Sequence, residues 1–292
     1  MGKPLKPPMT YDEQIRNLID KHNLVVADVD RAKEILRTVN YYRLSGYGIG
    51  LLNCDTDLYD GTTSIEDLHA LYCFDTQLRN IISPVIEFVE VKMRTAIAYH
   101  LANKYGSECY RDPQYFRTWY SKIKQKDMFA DFIDHVDSAI KQQRNKPFVI
   151  HHNKEYGGHF PVWVIVEVLS FGSLSTLYSL MKQEDQAAVA KEFHTKPVYM
   201  ISWFASFVEL RNICAHYSRL YNMPLDSTPK LPPRDTSYSQ CRLFSACLAL
   251  KYITRGNDVW NVFVRKLKEI ISRYPIANIS YLGFPNDWEE IL

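Results

Sequence analysis

Arg211, Asn212 and His216 are the residues whose types and spacing best fit a chemistry in this 292-residue chain. An imidazole with its ordinary pKa near 6.5 takes or gives a proton at neutral pH. A guanidinium stays charged and grips phosphate oxygens in pairs, so it stabilises charge that builds up during a reaction. Asn212, four residues before His216, can orient the imidazole or bind phosphate itself. Together the three suit acid–base work at a phosphate ester. The competing reading is a surface helix whose polar face is merely solvated.

The element that has to position them is the stretch Ser202 to Asn222, SWFASFVELRNICAHYSRLYN. At helical spacing Trp203, Phe207, Leu210, Cys214, Tyr217 and Tyr221 form one apolar stripe. Glu209, Asn212, His216 and Arg219 follow the same rhythm about 200° away, at roughly 100° per residue. Ser218 and Asn222 weaken the helix, and Pro224 stops it. An Arg and a His with four to six residues between them occur elsewhere, as Arg16/His22, Arg94/His100 and Arg144/His151, so the spacing alone decides little. Only Arg211/His216 combines a long amphipathic helix, an Asn after the Arg and a second Arg one turn past the His. Glu90 and Arg94 read instead as an i,i+4 ion pair with His100 as a local hydrogen-bonder, although a second catalytic pair at Arg94/His100 stays open.

Two further stretches offer contacts to an anionic partner. Tyr41, Tyr42 and Arg43 lie in an aromatic, glycine-rich run over 40–52, where aromatics beside an Arg suit base stacking; the alternative is packing, with the hydroxyls satisfied at the rim. Between Arg117 and Lys154 eight Lys/Arg stand against four Asp. There Arg117, Lys122, Lys124, Lys126, Arg144 and Lys146 interleave with Phe116, Trp119 and Tyr120, a pattern for neutralising phosphates, or simply a solvated helical insert. The net charge of the whole chain is only +2, so any such site is a local patch.

Six cysteines without C-x-x-C pairing argue against zinc and read as thiols of a reducing cytosol. No metal or other cofactor is expected. The start, MGKPLKPPMT, lacks a signal-peptide core, and no apolar run reaches membrane-spanning length. The expectation is a cytoplasmic protein without a membrane partner.

Several collinear segments resemble abortive-infection (Abi-like) proteins of the AbiD/AbiF type, a group of the HEPN superfamily. They are KPPMTYDEQI, VNYYRLSGY at 39–47, LYCFDTQLRNIISPVIEFVEVKMRTAIAYHLANKYG at 71–106, PVWVIVEVLSFGSLSTLY at 161–178, the stretch from Ser202 to Asn222, and LGFPNDWEE. The resemblance implies phage defence, an R-x4-H pair carried on Arg211 and His216 with Asn212 beside them, and RNA as the partner. RNA supplies its own nucleophile, the 2′-OH, so cleavage there needs no metal. Arg219 and the two stretches above become RNA-binding candidates. Arg211 and His216 would sit roughly 140° apart on a regular helix, about 7.5 Å along it. Two facing copies would bring them together, hence an expected homodimer with a composite site. The same resemblance allows a non-catalytic protein carrying a structured noncoding RNA. A helical protein-interaction module is the third reading.

Helical signals dominate. Thr10 with Glu13 forms a capping box, and a second helix spans about Asp28 to Val39. Helices are then expected from Ser64 to about Ile82 and from Val85 to Lys104, with Pro84 at a first turn or kink. Others follow at 162–181, Glu184 to Phe193, Ser239 to Thr254 and Asp258 to Arg273. The predicted fold is all-α: a HEPN-like helical bundle over 61–292 with a basic insert around 107–160, and a small N-terminal helical appendage over 1–60.

Overall fold

Thr10 starts the first helix, α1 (Tyr11–His22), by the reciprocal bonds its spacing predicts. The Thr10 amide donates to Glu13 Oε2 at 2.7 Å, and the Glu13 amide donates to the Thr10 hydroxyl at 3.3 Å. Asp28 caps α2 (Val29–Thr38) by accepting from the Arg31 amide at 2.9 Å. A short α3 (Tyr41–Ser45) follows. Ile15, Leu18, Ala32, Ile35, Leu36 and Leu44 bury their side chains together with Ile65 and Leu68. The computed structural model that shows this describes residues 5, 7–53, 55–122 and 125–292.

Ile65 and Leu68 belong to α4 (Ile65–Tyr105), a helix of 41 residues and roughly 60 Å at 1.5 Å per residue. Ser64 and Asp67 cap it with a second reciprocal box. Here the sequence reading needs correction: Pro84 does not divide two helices but sits inside one. It lacks only the amide that would bond the Asn80 carbonyl. Pro84 itself is exposed, and Ile82, Val85, Ile86 and Val89 form one buried stripe on the opposite face that holds the helix to its neighbours there.

The segment after Gly106 is less helical than the predicted insert. It holds 3-10 turns at Cys109–Arg111 and Pro113–Tyr115, then a two-stranded hairpin of β1 (Tyr120–Ser121) and β2 (Lys126–Asp127). Helices α5 (Met128–Gln142) and α6 (Pro147–Glu155) come next and send Phe129, Phe132, Val136 and Val149 into the core. The single buried helix expected over 162–181 is two, α7 (Val162–Val168) and α8 (Phe171–Leu180). Ser170 makes the break, its hydroxyl accepting from the Ser173 amide at 3.1 Å. Then come α9 (Gln183–Glu192), α10 (Pro197–Ala215), α11 (Leu243–Thr254), α12 (Asp258–Arg273) and a last turn, α13 (Trp288–Ile291).

Helix α4 is the axis of this all-α bundle: α7, α9, α10, α11 and α12 pack around it. Trp203 of α10 is fully buried, with its indole N–H donating to the Lys230 carbonyl at 2.7 Å. Removing so large a buried ring costs about 3–5 kcal/mol, so α10 is firmly seated. No helix among the described residues is long and apolar enough to cross a membrane.

Candidate functional site

The apolar stripe of α10 behaves as predicted through Trp203, Phe207 and Leu210, all fully buried. The helix then ends at Ala215, nine residues before the predicted stop at Pro224. His216 is its C-cap, and Tyr217 adopts the left-handed conformation at φ 56°. The Ser218 amide donates to the Ile213 carbonyl at 3.0 Å, and the Tyr217 amide to the Cys214 carbonyl at 3.4 Å. These two bonds make a Schellman stop, with tyrosine where glycine is usual. The polar line therefore does not continue along one helix. Glu209 leaves it too, accepting the Asp226 and Ser227 amides at 2.6 and 2.8 Å and so anchoring the proline-rich loop.

Residues 216–221 are held from below by two residues the sequence reading passed over. Asp75 is fully buried on α4. It accepts from the Tyr47 hydroxyl at 2.7 Å, from the Tyr221 amide at 2.8 Å, from the Leu220 amide at 3.2 Å, and from Arg79. Arg79 donates onward to the Ser218 carbonyl at 3.2 Å and to the Thr76 hydroxyl at 3.1 Å. Burial and the Asp75 charge push the Tyr47 hydroxyl pKa well up, so it stays a donor. A signal was present: Asp75 lies on the apolar line Leu71, Leu78, Ile82, where an acid belongs only if something neutralises it.

Beside this loop lie two clefts. The first, about 470 Å³, is lined by Asn80, Ser83, Glu87, Glu90, Arg94 and Arg211, with Cys214 and Tyr217 at its edge. Glu90 forms the predicted i,i+4 pair with Arg94, which also donates to the Val166 carbonyl. The same carboxylate stands 3.8 Å from Arg211 Nε, a contact the sequence reading did not include. Arg211 keeps 42% of its side chain exposed, and its Nη1 donates to Asn212 Oδ1 at 3.4 Å. Asn212 and His216 are exposed, and the His216 imidazole has no hydrogen-bond partner among the described residues. His100 instead bonds Asp185 Oδ1 at 2.8 Å, a structural partner on α9 rather than the local one expected.

The second cleft, about 730 Å³, takes in Asn40, Tyr42, Arg43, Ile49, Ser218 and Arg219. Tyr42 is 87% exposed. Arg43 donates to the Tyr217 carbonyl at 2.6 Å, which ties the aromatic run to the loop after His216. Arg219 lies over the Tyr47 ring at 5.9 Å and donates to Met223 Sδ at 2.9 Å, while its buried Nη1 has no partner. Tyr41 lines neither cleft. Its hydroxyl accepts from Asn17 at 2.9 Å, and its ring packs on the N-terminal core.

The basic insert lies apart from both clefts. Arg117 covers the Trp119 ring at 5.8 Å, and Lys126 pairs with Asp131 and Asp134 at 3.5 and 3.7 Å. Lys122, Arg144 and Lys146 are exposed. Lys124 falls outside the described residues.

Fold and site define an all-α protein that presents an arginine, and a histidine whose imidazole has no partner among the described residues, at the capped end of a buried helix. The model of the Abi-like protein family matches residues 34–222, the greater part of the chain, and the chain belongs to that family. The match takes in both clefts and the Asp75–Arg79 pair. No curated protein and no solved structure matches the chain.

Proposed function

We propose that this Abi-like protein acts in abortive-infection phage defence as a HEPN-type, metal-independent endoribonuclease. The observation that carries the reading is the pairing of an exposed His216 imidazole, without a partner among the described residues, with a firmly held loop. A surface histidine with no structural work, next to a loop held by a buried ion pair, is poised for acid–base chemistry. Arg211, only loosely engaged by Glu90 at 3.8 Å, has donors left for the scissile phosphate. His216 moves the proton of the 2′-OH or of the 5′ leaving oxygen, and Arg211 neutralises the phosphorane. Asn212 holds the guanidinium or the phosphate. Tyr42, Arg43 and Arg219 grip the strand next to the cut.

The first cleft is lined by Arg211 but not by His216. That supports two facing copies, each completing the other's site. It equally favours the second reading, in which Arg211 and His216 only hold a structured noncoding RNA. Arg211→Ala and His216→Ala decide between them. Cleavage of RNA in EDTA and host toxicity should both disappear, while RNA retention persists. If both variants still cut RNA, the nuclease reading is wrong. If the wild type retains RNA uncut, the carrier reading replaces it. Sedimentation of the active species as a monomer would remove the composite site.

A further inference from the structure

A third cleft lies outside the family-matched segment, between α11, α12 and the last turn of the chain, with a volume of about 660 Å³. Arg234, Lys251 and Arg255 border it, and Asp235 is the one acidic side chain among its lining residues. Asp235 is already committed. Its carboxylate stands 3.4 Å from Arg234 Nε and accepts the Tyr252 hydroxyl, while Arg234 Nε also donates to that hydroxyl at 2.8 Å. Tyr252 is stacked between Trp203 and Arg234, at 5.6 and 5.2 Å, so this corner is rigid and its charge is spent.

Lys251 and Arg255 are not neutralised in this way. Lys251 donates to a neutral acceptor, the Ile291 carbonyl, and neither cation forms an ion pair with a side chain among the described residues. Burial, and then the neighbouring Arg234 and Arg255 charges, lower the Lys251 pKa, while Asp235 pulls the other way without cancelling them. Trp260 forms a buried wall, its indole N–H donating to the Leu292 carbonyl at 3.1 Å. An ammonium and a guanidinium fork on one concave wall suit a dianion with several oxygens. The volume leaves room for more than the anion.

We propose that the cleft bordered by Lys251 and Arg255 binds the terminal phosphate of a phosphomonoester. Its source is either a free nucleotide or the 5′ end of an RNA strand. The site is separate from Arg211 and His216, and its failure would leave the nuclease reading intact.

Binding of AMP, of adenosine and of one RNA oligonucleotide with and without a 5′-phosphate is measured by calorimetry on the full chain. The comparison is with Lys251→Gln/Arg255→Gln, and thermal melting checks that this variant folds. AMP should bind and adenosine should not, and the double substitution should weaken AMP at least roughly tenfold. Lys251→Arg alone, which keeps the charge, should retain binding. If the 5′-phosphorylated oligonucleotide alone shows this dependence, the source is a strand end; if AMP shows it, a nucleotide. The proposal is overturned if neither phosphorylated probe binds, if adenosine binds as well as AMP, or if the double variant binds like the wild type.

Discussion

Asp75 and Arg79, one turn apart on α4, form a buried ion pair whose remaining hydrogen bonds all reach across to other elements or brace the helix itself. The pair braces its own helix and holds the loop that follows α10. Four of its contacts fall on Ser218, Leu220 and Tyr221, directly after His216.

Removing one partner leaves the other charge buried and alone. Asp75→Ala should therefore cost about 3–5 kcal/mol in urea unfolding. It should also raise proteolysis within 216–222 before global unfolding. A loss below about 1 kcal/mol would mean that the pair does not hold the loop.

Tyr217 gives the opposite sign. It is 70% exposed and adopts φ 56°, a conformation that costs a side-chain-bearing residue roughly 1–2 kcal/mol. Glycine carries no such cost but loses more entropy on folding. Tyr217→Gly should stabilise the protein by up to about 1 kcal/mol. Its backbone carbonyl still receives Arg43, so the loop keeps that tie. Destabilisation in thermal melting would show that the tyrosine ring itself contributes to packing.

Much of the fold could be read from the sequence because it depends on neighbours a few residues apart. The Thr10–Glu13 capping box, the Glu90–Arg94 pair and the buried part of the apolar stripe of α10 are of this kind. What could not be read depends on distant partners. Nothing near Tyr217 signals a helix stop, since the usual glycine is missing and the turn is fixed by Asp75, more than 140 residues away. Pro84 misled for the same reason: its local cost is met by the tertiary burial of the Ile82, Val85, Ile86 and Val89 stripe on the opposite face of α4. Of the candidate site, Arg211, His216, Arg43 and Arg219 were named, but their grouping into two clefts on either side of one loop was not legible.

Acid sensitivity should concentrate at Asp185. Burial alone would raise its pKa, but hydrogen bonds from Lys104, His100 and Tyr105 outweigh this and hold it below the usual carboxylate range. A pKa lowered by folding contributes stability that is complete above the unfolded value near 4 and fades as pH falls through the folded one. Urea midpoints should therefore drop more steeply below about pH 4 in the wild type than in Asp185→Asn. Parallel curves would contradict this.

Thiol reactivity should follow exposure. Cys241 is exposed, whereas burial pushes the Cys109 and Cys214 thiols up to about 11 and raises Cys247 as well. Among these four, iodoacetamide at pH 8 should label Cys241 first and leave the other three until the protein unfolds. Peptide mass spectrometry reads the order directly. Early labelling of Cys214 would mean that the end of α10 opens in the native state.

Helix α4 gives its first residues to one apolar cluster and the rest to another. A rod shared in this way cannot yield at one end without the other registering it. Cutting away the N-terminal segment would strip the cover from Ile65 and Leu68 and remove Arg43 from Tyr217. The shortened chain would then be sticky as well as loosened at the very loop that carries His216.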